Sequence, residues 1–554
     1  MELSDIFKLS RNHPLNAGSF LCCTRLAPLF LFLAVSLGVY QSPAQSKDEY
    51  EAVDAYALSV PKSAATSADH LAAVLSKGAQ TQREKARVIY RWITRNITYD
   101  THAFFSGEFG DMSANSVLKT MKGVCDGYAQ LFAALGTSMG LEVERITGNS
   151  KGYGYVLGSP IHGPANHAWN AVKIDGVWQL VDCTWGAGYI DAKKDFIEHF
   201  NDYYFLTPPS QFIYDHFPDD PQKQFLSPPI SKDAYENLAD VRPVFFIDGL
   251  NFVSDRSGII RAQKRADIMI DAPRNVFLML QLLHNGRTSD PYLTYISRNG
   301  ETATLSALFP ETGTYVLRLF VKEQESAERQ YEKALDYQIG VEEALATPAA
   351  YPAMFEAFDA YGLKITSDVE RERQVNRNVS VELSSGPGVL VTASLERNGT
   401  RLADNFTFVQ SQDGTHDVRA LFPQPGDYIL TIYAKQKSES GDYNAVLKYP
   451  FVSVAAKDID ACFPFVYEQY RTCNARLLSP LDGHLETGHS YPLTIQVPEA
   501  EAVAVVNNGH WTNLSKEGKV FGGSITVDPG KAEVFAKFPG NKQFVGLLRY
   551  EGVR

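Results

Sequence analysis

Residues 166–185 read NHAWNAVKIDGVWQLVDCTW. Asp175-Gly176 lies between two runs of alternating apolar residues, the strongest short-range signal for a β-hairpin closed by a two-residue type I′ turn. The turn sets the register: Ile174 faces Val177, and opposed positions sum to 351. Side chains alternate along a strand, so His167, Trp169, Leu180 and Asp182 share one face. Val172, Ile174, Val177 and Val181 take the other. Trp169 is expected opposite Asp182 and His167 opposite Thr184. His167 and Asp182 then become diagonal neighbours, roughly 7–8 Å apart at the backbone and within side-chain reach. An imidazole beside a carboxylate is the base–orienter pair of nucleophilic enzymes.

A nucleophile for that pair must come from elsewhere in the chain. Upstream, Gly123-Val124-Cys125-Asp126-Gly127-Tyr128 opens an amphipathic helix with Leu131, Phe132, Leu135 and Met139 on one stripe and a stop at Gly140. Cys125 therefore stands at a helix N-terminus, where partial positive charge favours a thiolate and free N–H groups can receive an oxyanion. Cys183 is the rival. The register turns its side chain away from His167 and Asp182, and no helix is expected to start there, so it reads as a buried structural thiol. Taken singly, a core cysteine or a structural His–Asp hydrogen bond is the plainer interpretation. All three residues fall within 58 positions, and that combination points to chemistry. Sequence alone does not bring Cys125 to His167.

Working outward, Ala86, Ile89, Trp92, Ile93 and Ile97 recur at helical spacing and predict an amphipathic helix over roughly 82–96. Gly and aromatic residues between Gly148 and Gly158 predict a loop. Beyond Pro228-Pro229 the chain changes to short alternating runs with turn signals, as in β-sandwiches. LFPETGTYVLRLFVK (308–322) aligns with LFPQPGDYILTIYAK (421–435) at an offset of 113 residues, with seven of fifteen positions identical. That offset is about one immunoglobulin-like domain, and Tyr315 and Tyr428 occupy the place of a tyrosine corner. From residue 458 the alternation resumes, which predicts a third sandwich.

The chain has 554 residues, 52 Lys+Arg and 64 Asp+Glu, a net charge of −12. No segment supplies a basic face, which excludes a nucleic-acid partner. The length alone suggests about three or four domains. At the N-terminus, the apolar run Leu26–Val39 follows Lys8, Arg11 and Arg25 and precedes Ser42-Pro43-Ala44. This is the pattern of a secretory signal peptide, and the run is shorter than the ~20 apolar residues a spanning helix needs. A secreted or periplasmic protein is expected, with a signal anchor as the lesser alternative. Cys462 and Cys473 are near enough in sequence to pair. No zinc-ligand or EF-hand spacing occurs, and no cofactor is expected.

GVCDGYAQLFAAL (123–135), NHAWNAVKIDGVWQLVDCTWGAG (166–188) and DYYFLTPPSQFIYDHFPDD (202–220) resemble the transglutaminase-like superfamily, within it the kyphoscoliosis peptidase branch. SPLDGHLETGHSYPLTIQVPEAEAVAVV (479–506) resembles the trailing immunoglobulin-like domain of that branch. The resemblance implies an α+β papain-like core followed by two or three immunoglobulin-like β-sandwiches. It also implies a Cys-His-Asp triad, mapped here to Cys125, His167 and Asp182, and an acyltransferase or peptidase acting on a protein or peptide substrate. The expected layout is a signal peptide over 1–44, a catalytic domain over 45–229 and sandwiches over 230–345, 346–457 and 458–554. The competing function is a non-catalytic adhesion or scaffold protein that binds protein partners through its sandwiches. Oligomeric state is not read from the sequence.

Overall fold

The computed structural model describes residues 49–254, 256–324, 330–454 and 460–554. The signal-peptide reading falls on residues outside that set.

Seven of the helices and five of the strands in the first part of the chain frame its fold. The helices are α1 (Glu51–Ser59), α2 (Ala68–Leu75), α3 (Gln82–Asn96), α4 (Thr101–Ser106), α5 (Ala114–Thr120), α6 (Cys125–Ser138) and α7 (Cys183–Ala187). The strands are β1 (Glu142–Ser150), β2 (His167–Ile174), β3 (Val177–Val181), β4 (Phe205–Thr207) and β5 (His216–Pro218). They form one antiparallel sheet in the order β4-β3-β2-β1-β5.

Helix α3 starts where a capping box allows it to: Thr81 accepts from the Glu84 N–H and Glu84 accepts in return from the Thr81 N–H. Its apolar stripe of Ala86, Ile89, Trp92 and Ile93 is fully buried. Each large side chain there contributes roughly 1.5–3 kcal/mol by leaving water. Arg87 is also buried, and a two-pronged pair with Asp54 at 2.7 Å for both contacts keeps that charge from being orphaned. Helix α6 buries Leu131, Phe132 and Leu135 against the same core and ends where Gly140 takes a φ of +77°.

The β2–β3 hairpin has the register read from its turn. Ile174 pairs with Val177 and Asn170 with Val181, while Asp175 and Gly176 have φ of +51° and +83°, both positive as a type I′ turn demands. Its two faces enter separate cores. Val172, Ile174 and Val181 pack under the helices, and Trp169, Ala171 and Leu180 pack with Ile146, Tyr204 and Phe212 on the far side.

Three local expectations need correction. Pairing stops at Val181, so Asp182 does not oppose Trp169, nor Thr184 His167; Asp182 instead leaves the ladder to cap α7. Cys183 does start a helix, because the Asp182 side chain supplies the N-cap. The loop expected from Gly148 begins only after Ser150, since Gly148, Asn149 and Ser150 pair with β5. Gly148 belongs to that crowded strand. A Cβ there would lie 2.1 Å from the Phe217 carbonyl oxygen and 2.8 Å from the Trp169 ring.

The rest of the chain is β-rich. One sheet system with its own core spans Asp240 to Glu343. A six-stranded and a four-stranded sheet then enclose the core around Val391, Leu430 and Tyr449. A second such pair encloses Leu493, Val503 and Val534. The repeat is structural as well: Gly313–Glu323 and Gly426–Gln436 are equivalent strands. Tyr315 OH donates to the Glu311 carbonyl at 3.1 Å and Tyr428 OH to the Gln424 carbonyl at 2.8 Å, as tyrosine corners do. Cys462 and Cys473 are both free thiols. Among the described residues, no helix is long and apolar enough to cross a membrane.

The junction between the first two parts is bonded rather than loose. Tyr235, fully buried, stacks on Phe217 at 5.1 Å and donates its hydroxyl to the Asp215 carbonyl at 3.1 Å. Lys151 Nζ, on the strand side, donates to the Leu238 carbonyl at 2.9 Å.

Candidate active site

Cys125 is delivered by a tethered approach. Lys122-Gly123 pairs in parallel with Thr98-Tyr99, and the Asp100 N–H donates to the Gly123 carbonyl at 3.0 Å. The next two residues turn directly into α6, with Cys125 as its first helical residue and partly exposed. The first-turn N–H groups of a helix have no intrahelical acceptor, so they are available to an anion beside Cys125.

His167 opens β2, paired with Gly148 on β1. Its Nε2 donates to Asp182 Oδ2 at 2.8 Å. The Cys125 side chain lies near enough to act on the same ring, favouring its protonated form. Burial of the His167 ring works against its charge, but the Asp182 carboxylate, and after it Cys125, push its pKa up to about 10. Burial likewise opposes ionisation of Asp182. The charge of His167 and hydrogen bonds from His167 and His216 nonetheless hold it well below the usual carboxylate range.

Asp182 is fixed from its other oxygen by its own helix. The N–H groups of Thr184 and Trp185 donate to Oδ1 at 2.7 and 3.2 Å. Trp185 and Trp169 flank the imidazole, with ring centroids 5.4 and 6.0 Å away. Cys183 is buried, and burial first, then Asp182, raises its thiol well above the ordinary value. It behaves as a packed thiol, although it does begin a helix.

All three residues singled out from the sequence are brought together. The sequence reading missed His216, whose ring touches the same carboxylate, and Asp215 beside it. The available signal was the Asp-His dipeptide within IYDHFPDD, but its strand is paired from 34 residues beyond Asp182 and no local register reaches it. His167, Asp182 and His216 also present ligand atoms within 4.8 Å of one another. Their arrangement is accounted for by hydrogen bonds, so no metal is required to explain it.

Comparison with known proteins adds the lineage. Residues 69–183 match the transglutaminase-like superfamily model, and residues 232–352 and 345–459 each match the KY-like, immunoglobulin-like domain. The chain is 28% identical over 520 residues to a human protein named kyphoscoliosis peptidase, covering 91% of this chain and 77% of that one. The mouse kyphoscoliosis peptidase matches at 28% over 497 residues, 87% of this chain and 74% of its own length. Drosophila melanogaster hillarin is 33% identical over 224 residues, 38% of this chain and 27% of that protein.

Proposed function

For this member of the transglutaminase-like superfamily, a transglutaminase-like domain joined to KY-type immunoglobulin-like domains, we propose thiol-based acyl transfer at an amide or peptide bond. The observation that carries the reading is a buried His167–Asp182 pair with Cys125, the first residue of α6, close enough to the imidazole to act on it.

In this mechanism the Cys125 sulfur, its thiol proton carried by His167, attacks the carbonyl carbon, and a C–S bond forms as negative charge moves onto the oxygen. The free N–H groups at the start of α6 stabilise that oxygen. His167 gives its proton to the departing amine as the C–N bond breaks, leaving a thioester. Asp182 holds the ring and offsets its charge throughout. Water or an amine then attacks the thioester and gives its proton to His167; the C–S bond breaks, and the released sulfur again shares that proton with the imidazole. The name of the kyphoscoliosis peptidases favours water, hence a peptidase, over cross-linking. The N-terminal apolar run supports export, and the sandwiches are the surface offered to protein partners.

The test uses the chain from residue 45 with a peptide-based thiol-reactive probe, read by mass spectrometry. Labelling at Cys125 that disappears in His167→Ala is expected. Equal labelling in both, or none in either, would overturn the enzyme reading in favour of a scaffold. Incubation with a glutamine peptide and an amine separates the outcomes: hydrolysed product without adduct supports the peptidase, and an amine adduct refutes it.

A further inference from the structure

The hydrogen-bond chain does not stop at Asp182. Its Oδ2, which receives His167 Nε2 at 2.8 Å, also faces His216 Nε2 at 3.1 Å. On the other side of that ring, Nδ1 lies 2.6 Å from Asp215 Oδ1, and Tyr204 OH donates to Asp215 Oδ2 at 3.0 Å. All of these side chains are buried. A neutral imidazole has one N–H, yet both ring nitrogens of His216 face carboxylate oxygens. Satisfying both contacts takes one proton more than a neutral ring carries, on the ring or on Asp215.

The ring cannot turn away from this arrangement. Phe212 stacks on it at 4.0 Å, Trp185 lies at 4.5 Å and Trp169 meets it edge-on at 5.0 Å. The titratable groups around it are His167, Asp182, Asp215 and Tyr204. In surroundings this dry, a charge-assisted hydrogen bond is strong and its loss is costly.

We infer that His216, steered by Asp215, is a positioning residue of the site: it anchors Asp182 Oδ2 on the line to His167 Nε2. Asp182 Oδ1 already has two backbone donors, so without His216 the second oxygen would be held by His167 alone. His167 is the group that must gain and lose a proton during turnover, and an anchor independent of it keeps the carboxylate in place. This inference rests on the thiol-enzyme reading above.

The test follows the rate of Cys125 alkylation by iodoacetamide against pH, with thermal melts, in wild type, His167→Ala, His216→Gln and His216→Leu. Wild type should show a limb in the profile that His167→Ala lacks; its absence would overturn the thiol-enzyme reading before any His216 variant is considered. His216→Leu should fold yet alkylate about 10–100-fold more slowly near neutral pH, with its alkaline limb moved to lower pH. His216→Gln keeps a donor for Asp182 and should recover most of that loss. A folded His216→Leu with the wild-type profile would overturn the inference, as would equal losses in Leu and Gln. If His216→Leu does not fold, Asp215→Asn carries the test, with a smaller slowing of about 3–10-fold expected and an unchanged profile overturning it.

Discussion

Replacing Asp182 by Asn removes the charge that holds the imidazole while keeping the shape of the side chain. A rise of the His167 pKa from 6.5 to about 10 corresponds to about 5 kcal/mol in favour of the protonated ring. Burial opposes that preference, so once the carboxylate is gone only the opposing effect of burial and a weak thiol contact remain. The His167 midpoint in Asp182→Asn should therefore fall below 6.5, a displacement of more than three pH units. The direction for stability follows. A folded-state value above the unfolded one means that His167 contributes stability fully present below about 6.5 and lost as pH rises through about 10. Asp182, lowered on folding, contributes stability present above about 4 and lost in more acid solution. The assay is NMR titration of selectively labelled histidine in wild type and Asp182→Asn, alongside chemical denaturation at pH 5, 7 and 10. The wild type should lose stability between pH 7 and 10, and the variant should not. A folded Asp182→Asn in which His167 still titrates near 10 would refute the assignment of that charge effect to Asp182.

Gly148→Ala should cost on the order of 3 kcal/mol, because the new methyl meets the Phe217 carbonyl at 2.1 Å between two paired strands; a melt matching wild type would contradict the close approach. Under native conditions near neutral pH, iodoacetamide should modify Cys125 well before the buried Cys183, and peptide mapping that finds the reverse order would exclude Cys183 as a packed thiol. Tyr235→Phe should lower stability by about 1–2 kcal/mol in urea denaturation by leaving the buried Asp215 carbonyl without its hydroxyl donor. His416, whose ring sits between Ser385 and Ser411 at 2.9 and 2.7 Å, is lowered by burial to about 4. Its contribution is present above about 6.5 and lost as pH falls through about 4, so the second sandwich should be acid-sensitive, and His416→Gln should flatten that dependence in a pH-dependent melt.

What the sequence disclosed was local. Asp175-Gly176 dictates a turn that few other residue pairs can form, and the period-two pattern on either side then places His167 and Trp169 on one face. Helix α3 was equally legible, because the buried stripe from Ala86 to Ile93 is regular. The tyrosine corners showed through an internal repeat that needs no long-range information. The departure at Asp182 was not legible, since the competition between one more ladder pair and an N-cap is decided by the Tyr204 carbonyl, which accepts from the Asp182 N–H at 3.0 Å. His216 was hidden for a related reason. It reaches the site by pairing with Ser150 across the sheet, and nothing within ten residues of His167 or Asp182 announces that contact.

The seam made by Lys151, Tyr235 and Leu238 bears on how such a protein can be rearranged by recombination. Tyr235 holds the backbone of Asp215, next to the imidazole that faces Asp182, yet it lies in the residues leading into the first sandwich. A gene cut at the Pro228-Pro229 pair would transplant the thiol, the imidazole and the carboxylate intact while leaving that brace behind. The inheritable module therefore extends through at least Leu238, and chimaeras joined further along should retain a complete wall behind the site.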